Sequence, residues 1–352
     1  NLNYKIDFKS VAKKPESIDD KEKLSSVKNI IAISSAKGGV GKSTITSNIA
    51  VTLKEMGFKV GILDADIYGP SMHIMFDLVG RKPLAVDING ESKMKPIESF
   101  GIKILSIGFF TKMDQAVIWR GPMATKALNQ LIFDADWGEI DFLLIDLPPG
   151  TGDIQLTLTQ KLKMDGALIV TTPQDIALAD VKKGADMFRK VKTPVLGVIE
   201  NMSGLFLEGK LDGDSDLFIE GQKVTVREDG SFTIRMDLFK NGGGKSESDR
   251  LGVPLLGQIP ISQDIMETTD SGSPIVEAHP NSHPSKLYKE IAKINKTILI
   301  IFFNLFIKII FKYDVEQNQS IFNLAPYSWS FSNFNNYHWW IYTNFRLWLI
   351  NN

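Results

Sequence analysis

The stretch "SSAKGGVGKST", Ser34 to Thr44, follows directly on the apolar run Ile30-Ile31-Ala32-Ile33. Beyond it, Ile45, Ile49, Leu53 and Met56 recur at helical spacing before Gly57. An apolar run, a glycine cluster and an amphipathic period read as strand, loop and helix. The next apolar run, "KVGILD", completes a βαβ unit.

Outward from that unit the same texture repeats. "IKILSI", "DFLLID", "GALIVT" and "TPVLGVIE" alternate with helical patterns, and the shorter "VPLLGQI" follows. Near-continuous apolar strands suit a mostly parallel sheet buried on both faces. The expected fold class is therefore α/β, a doubly wound sheet with helices on both faces. Helices are expected after Gly121, Asp153, Gln174 and Ser262, and "HPSKLYKEIAKIN" closes the pattern near Asn295. From about 205 to 240, "QKVTVRE" and "GSFTIRMDLF" alternate in period two around "DGDSD" and "EDG". That stretch reads as a small antiparallel hairpin insertion.

The 352 residues are 43% hydrophobic and 23% charged, enough for a substantial core. Forty basic against 41 acidic side chains leave a net charge of −1, which gives no sign of a nucleic-acid partner. Cysteine is absent, so the chain itself offers no disulfide, thiolate nucleophile or cysteine-ligated cluster. Three segments are expected: an extension or remnant of a preceding small domain over 1–28, a nucleotide-binding domain over 29–295, and an atypical tail over 296–352. All 28 glycines precede the tail, and four of the six tryptophans lie in it. Its run "TILIIFFNLFIKIIF" is shorter than the roughly 20 residues of a spanning helix and contains Asn304 and Lys308. A membrane partner is not expected, and removing 296–352 is expected to leave nucleotide binding intact. The expected compartment is the cytoplasm, with an organellar address left open because the N terminus looks incomplete.

A loop that holds phosphate must turn successive backbone N–H groups inward, and glycine permits those dihedrals and the close approach. Gly38, Gly39 and Gly41 meet that need. The helix that follows adds its free amides and its dipole. The loop residues Ala36, Lys37, Gly38, Gly39, Val40, Gly41, Lys42, Ser43 and Thr44 are the candidates to hold ATP, with Lys42 reaching the β- and γ-phosphates and the Ser43 hydroxyl on Mg²⁺. The strict G-x-x-x-x-G-K-[ST] pattern fails at Ala36; K-G-G-x-G-K-[ST], Lys37 to Ser43, fits instead.

Three more stretches carry chemistry. In "GILDADIYGPS", Asp64 and Asp66 fall where the second strand ends, at the carboxyl edge where doubly wound folds bind ligands. A carboxylate there can orient or deprotonate a water; either one could instead cap the next helix. In "FLLIDLPPGTGD", a buried strand delivers Asp146 towards Mg²⁺, and the Pro148-to-Asp153 segment suits a switch that senses the γ-phosphate. In "GVIENMS", the Asn201 amide can both donate to and accept from an adenine edge, or cap a turn.

Taken together, "AKGGVGKST", "DADIYGPS", "WRGPM", "LIDLPPGTGD", "TTPQDIAL", "IENMS" and "GVPLLGQIP" resemble the Mrp/ApbC branch of the MinD-like, deviant-Walker ATPases over about residues 27–295. The resemblance implies ATP hydrolysis in a homodimer, in the service of iron–sulfur cluster assembly or transfer to scaffold or client apoproteins. The alternative is a MinD- or ParA-like dimerisation switch without cluster chemistry. The resemblance also makes Lys37 the residue that reaches the partner subunit's nucleotide, Asp66 the catalytic carboxylate, and Asp64 a member of the metal shell with Ser43 and Asp146. One departure stands out. Cluster-carrying members have C-x-x-C shortly after E-N-M-S, where this chain has "GLFLEGK". Neither Glu208 nor Lys210 replaces a soft thiolate, and none of His73, His279, His283 and His338 lies there. An iron–sulfur cluster is thus implied by resemblance alone.

Overall fold

The computed structural model describes residues 24–88, 90–111, 121–211, 217–219, 222–239 and 242–293. The chain divides into Asn1–Ile298 and Leu299–Asn352, and the second unit lies wholly outside the described residues. So do most of the expected N-terminal extension, all of the expected tail, Trp119 and Arg120 of "WRGPM", and all of "DGDSD".

The first unit is built on one large twisted sheet. Its strands are β1 (Val27–Ser34), β2 (Val60–Asp64), β5 (Ile97–Ser99), β6 (Ile102–Ser106), β7 (Ile140–Asp146), β8 (Gly166–Thr171), β9 (Val195–Lys210), β12 (Ser231–Met236) and β13 (Leu255–Ile261). The spatial order is β12-β9-β8-β1-β7-β2-β6-β5, with β13 also paired to β9. All pairings are parallel except β5 with β6 and β12 with β9. Two small hairpins stand apart: β3 (Leu84–Ile88) with β4 (Glu91–Lys95), and β10 (Leu217–Ile219) with β11 (Gln222–Val224).

Both sheet faces are buried, as the near-continuous apolar runs require. One face gathers Ile30, Ala32, Leu63, Leu105, Leu143 and Ile145 under helices α3 (Gly121–Phe133), α4 (Asp153–Lys161) and part of α5 (Asp175–Lys190). The alternate residues Ile31, Ile33, Ile62 and Leu144 are equally buried on the other face, where α1 (Lys42–Glu55) crosses β1, β2 and β7. Helices α8 (Ile275–Ala278) and α9 (283–293) join α1 through Lys54–Glu277 and Glu55–Lys289 ion pairs, both at 2.9 Å. Gly57, at φ 89°, ends α1 in the left-handed region, the glycine use its position suggests.

Some elements depart from the sequence reading. Strand β1 begins at Val27, paired to Ile140, inside the stretch read as an extension. The first two strands do not touch, because β7 lies between them. The hairpin of β3 and β4 falls in a stretch read as connection; its residues are largely exposed, so no apolar period marks it. The antiparallel insertion expected over about 205–240 is present, and what the sequence did not show is that it continues the main sheet: β9 runs on past Asn201 to Lys210, and its outer half pairs antiparallel with β12 from Leu205–Met236 to Lys210–Ser231. Helices α6 (Gly243–Leu251), α7 (Gln263–Asp270) and the short α2 (Met72–Met75) complete the unit. Among the described residues no helix is long and apolar enough to cross a membrane.

Candidate nucleotide site

Parallel register assembles the site. Ile33 of β1 and Asp64 of β2 both stand level with Asp146 of β7, so the loop after β1 and two carboxylates emerge at one edge. Backbone bonds continue past the strand ends: Leu147 N–H donates to the Ile33 carbonyl at 3.0 Å, Ala65 N–H to Asp146 at 2.9 Å, and Gly150 N–H to Ser35 at 2.9 Å. The Pro148–Gly150 turn thereby lies against the glycine loop, with a Cβ on Gly38 reaching 3.8 Å from the Pro149 ring.

Gly39 and Gly41 both adopt φ 79°, and Gly41 is the residue from which α1 starts. A side chain at Gly41 would be strained and would overlap the Asn201 amide nitrogen. That nitrogen donates to the Val40 carbonyl at 2.9 Å. Asn201 is nine-tenths buried behind the loop, so its amide supports the loop directly. Ala36 packs within 4.0 Å of a Cβ position on Gly184 of α5. The Lys37 carbonyl accepts the Ser35 hydroxyl at 2.9 Å, and the Lys37 side chain is half-buried. Thr44 offers its carbonyl to Ser47 and Asn48.

The first turn of α1 faces Asp146. Lys42 Nζ lies 2.8 Å from Asp146 Oδ2, with the two side chains 6% and 0% exposed. The Ser43 hydroxyl donates to the same oxygen at 2.6 Å, and the Thr46 hydroxyl to Oδ1 at 2.8 Å. Lys42 and Thr46 are one helical turn apart, so both reach one carboxylate. Thr46 was not among the sequence candidates, although that spacing could have shown it.

Asp64 is held differently. Its Oδ2 accepts the Ser71 and Met72 N–H groups at 3.0 and 3.1 Å and the Ser106 hydroxyl at 2.9 Å, while Oδ1 accepts the Asp66 N–H at 3.2 Å. Burial, then the neighbouring Asp146, push its carboxyl up to about 7, against the pull of the Met72 N–H, Lys42 and Ser106. Ser106 is a second residue that sequence alone did not nominate. Asp66 sits half-exposed at the edge and accepts the Gly69 N–H at 3.1 Å, a turn-closing bond.

The donor set of a hydroxyl and two carboxylates suits a hard cation such as Mg²⁺. Ser43 and Asp146 already share an oxygen contact, whereas four donors surround Asp64 and leave it the outer position. Nothing suited to a softer metal is present: no group of three or more His, Asp or Glu side chains gathers among the described residues.

The family model described as NUBPL iron-transfer P-loop NTPase, of the ParA group, matches residues 26–233 and 231–295. The iron-sulfur cluster carrier protein of Aquifex aeolicus is 45% identical over 275 residues, 78% of this chain and 69% of that protein. The iron-sulfur cluster transfer protein NUBPL of Dictyostelium discoideum is 44% identical over 271 residues, 77% of this chain and 76% of that protein. A solved nucleotide-binding protein from Archaeoglobus fulgidus in complex with ADP superposes with a TM-score of 0.57 at 34% identity, over 76% of this chain and 95% of its own. With the phosphate-type loop and the buried Lys42–Asp146 pair both lying inside the residues that the family model matches, the chain belongs to the NUBPL-type iron-transfer P-loop NTPases.

Proposed function

We propose that this protein binds and hydrolyses ATP and uses the cycle to pass iron–sulfur clusters to recipient proteins. The observation that carries the nucleotide half is the meeting of Lys42, Ser43 and Asp146 at the start of α1, below a loop with two left-handed glycines. Loop amides from Gly38 to Thr44 and the α1 dipole supply directed positive potential for the phosphates. On nucleotide binding, Lys42 exchanges its contact with Asp146 for the β- and γ-phosphates. Ser43 and Asp146 would then hold Mg²⁺, with Asp64 outside them. The ion, when bound, neutralises charge on the phosphate oxygens.

Hydrolysis adds water across the γ-phosphorus, releasing ADP and inorganic phosphate. Asp66, half-exposed beside the site, orients the water and accepts its proton. Lys37, also half-buried, has no hydrogen-bond or ion-pair partner for its ammonium among the described residues. It serves the nucleotide of a second copy in a homodimer, where it offsets charge that grows in the transition state. Asn201 holds Val40 and, in this reading, also meets the adenine edge with its remaining amide oxygen.

The cargo half follows from family membership. Thiolates are the usual cluster ligands and this chain has no cysteine. We therefore assign the sulfur ligands to the partner protein, with this chain providing the ATP-driven step. Anaerobic transfer from a loaded scaffold to an apoprotein, with and without Mg-ATP, tests this. Acceleration by ATP that disappears in Lys42→Ala is the expected result; equal transfer rates with and without ATP would overturn the proposal.

A further inference from the structure

Strand β9 joins the nucleotide site to the 205–240 arm, and the joint is irregular. Asn201 pairs with Ile259 of β13 and Leu205 with Ile261, so Met202, Ser203 and Gly204 stand opposite the single residue Pro260. Met202 at φ 57° and Gly204 at φ 81° make this bulge. A methionine in the left-handed region is strained by roughly 1 kcal/mol or more, and persists where the surroundings hold it there.

The buried carboxylate of Glu200 does the holding. Its Oε1 accepts the Ser203 hydroxyl at 2.8 Å and the Gln258 amide of β13 at 2.6 Å. Its Oε2 accepts the Gly244 N–H in the first turn of α6. Gly244 allows this approach because a Cβ there would stand 2.8 Å from both Glu200 Cβ and Oε2. Three segments therefore converge on one side chain in the middle of β9: the bulge, β13 and α6. Ser203 also lies 3.5 Å from Arg235 Nη2 of β12, which brings the arm's root to the same point. Alternation along the strand sends the next side chain, Asn201, to the opposite face, where it meets Val40 and crowds Gly41.

We propose that Glu200 is a positioning residue for the nucleotide loop: by holding the bulge in the middle of β9, it keeps the Asn201 amide on the Val40 carbonyl and so keeps Gly41 in its left-handed turn. Glu200 touches no part of the loop itself and acts through Asn201. This inference rests on the nucleotide reading of the loop. A relaxed loop loses contacts that ground state and transition state share, so KM rises while kcat holds. A purely structural role would lower the melting temperature and the active fraction without moving KM. Glutamine offers one acceptor oxygen where the carboxylate offers two, so one of the three donors at residue 200 then faces an N–H group.

The test is steady-state ATP hydrolysis by the full chain, with calorimetric ATP binding alongside, for Glu200→Gln, Asn201→Ala and the double variant. Glu200→Gln is expected to raise KM about five- to tenfold with kcat within about twofold, and the double variant to go no further than the larger single one. A KM unmoved while the melting temperature falls, or a double-variant shift equal to the product of the singles, overturns the proposal. If Glu200→Gln does not fold, Ser203→Ala removes one donor from the same carboxylate and is expected to raise KM about two- to threefold; an unmoved KM there overturns the proposal equally. Unsubstituted protein that binds no ATP would sink the nucleotide reading, whereas normal binding with unmoved variants sinks this inference alone.

Discussion

Two regions of one sheet are built on opposite principles. Where β1, β7 and β2 end, Asp146 and Asp64 are wholly buried, and between them they take seven side-chain and backbone contacts (Lys42, Ser43 and Thr46 on Asp146; Asp66, Ser71, Met72 and Ser106 on Asp64). Where β9 pairs with β12, the register puts Leu205 with Met236, Leu207 with Ile234 and Gly209 with Phe232 on one apolar face, and Leu207 and Met236 remain 43% and 39% exposed. Buried charge tolerates no missing partner, so the first region is closed on every side. The arm is held by backbone pairing and by the Phe232 ring lying over Gly209, which admits no side chain there. Sensitivity to substitution should differ accordingly.

The largest expected effect is at Lys42. Under the proposed function Lys42→Ala would remove a phosphate contact, and it leaves Asp146 buried without its cation. Hydrolysis should fall on the order of 10²–10³-fold, and nucleotide-free stability by about 3 kcal/mol, read by phosphate release and by denaturant unfolding. A variant with unchanged turnover breaks the contrast outright.

Gly41→Ala comes next. A Cβ at φ 79° is strained by roughly 1–2 kcal/mol and also strikes Asn201, so ATP affinity by calorimetry should drop about tenfold. Gly39→Ala, at the same φ but with nothing within 4 Å of its Cβ, should lose less.

Asp64 gives the site a pH signature. Its carboxyl titrates near 7 in the folded chain against an ordinary 3.8. The unfolded chain therefore releases this proton first as pH rises, and stability falls between about pH 4 and pH 7, by at most about 1.4 kcal/mol per unit, then levels off. Thermal melts from pH 5 to 8 in EDTA without nucleotide should show that decline in the unsubstituted protein and a flatter profile in Asp64→Asn. Identical profiles would mean that Asp64 keeps an ordinary carboxyl.

The smallest effect belongs to the arm. Leu207→Ser should change stability by less than about 0.5 kcal/mol and ATP turnover by less than twofold. A larger loss would show that the arm's apolar face is covered in the working protein, and would erase the contrast.

The sequence carried the strand–loop–helix unit, the buried parallel strands and the choice of Lys42, Ser43 and Asp146 as side chains that gather at one sheet edge. Each of these depends on local order: a glycine next to a lysine, a carboxylate at the end of an apolar run. Helices after Gly121, Asp153, Gln174 and Ser262 were legible for the same reason. Tertiary structure alone decided the insertion of β7 between β1 and β2, which brings Asp64 and Asp146 level, and the partners Thr46 and Ser106 that complete their shells. It alone turned Asn201 onto Val40, and it joined Glu200 to Gly244, 44 residues away. Periodicity records which face of an element is apolar; which strand lies beside which, and which donor meets a buried carboxylate, is settled when the elements pack and every buried polar group must find a partner.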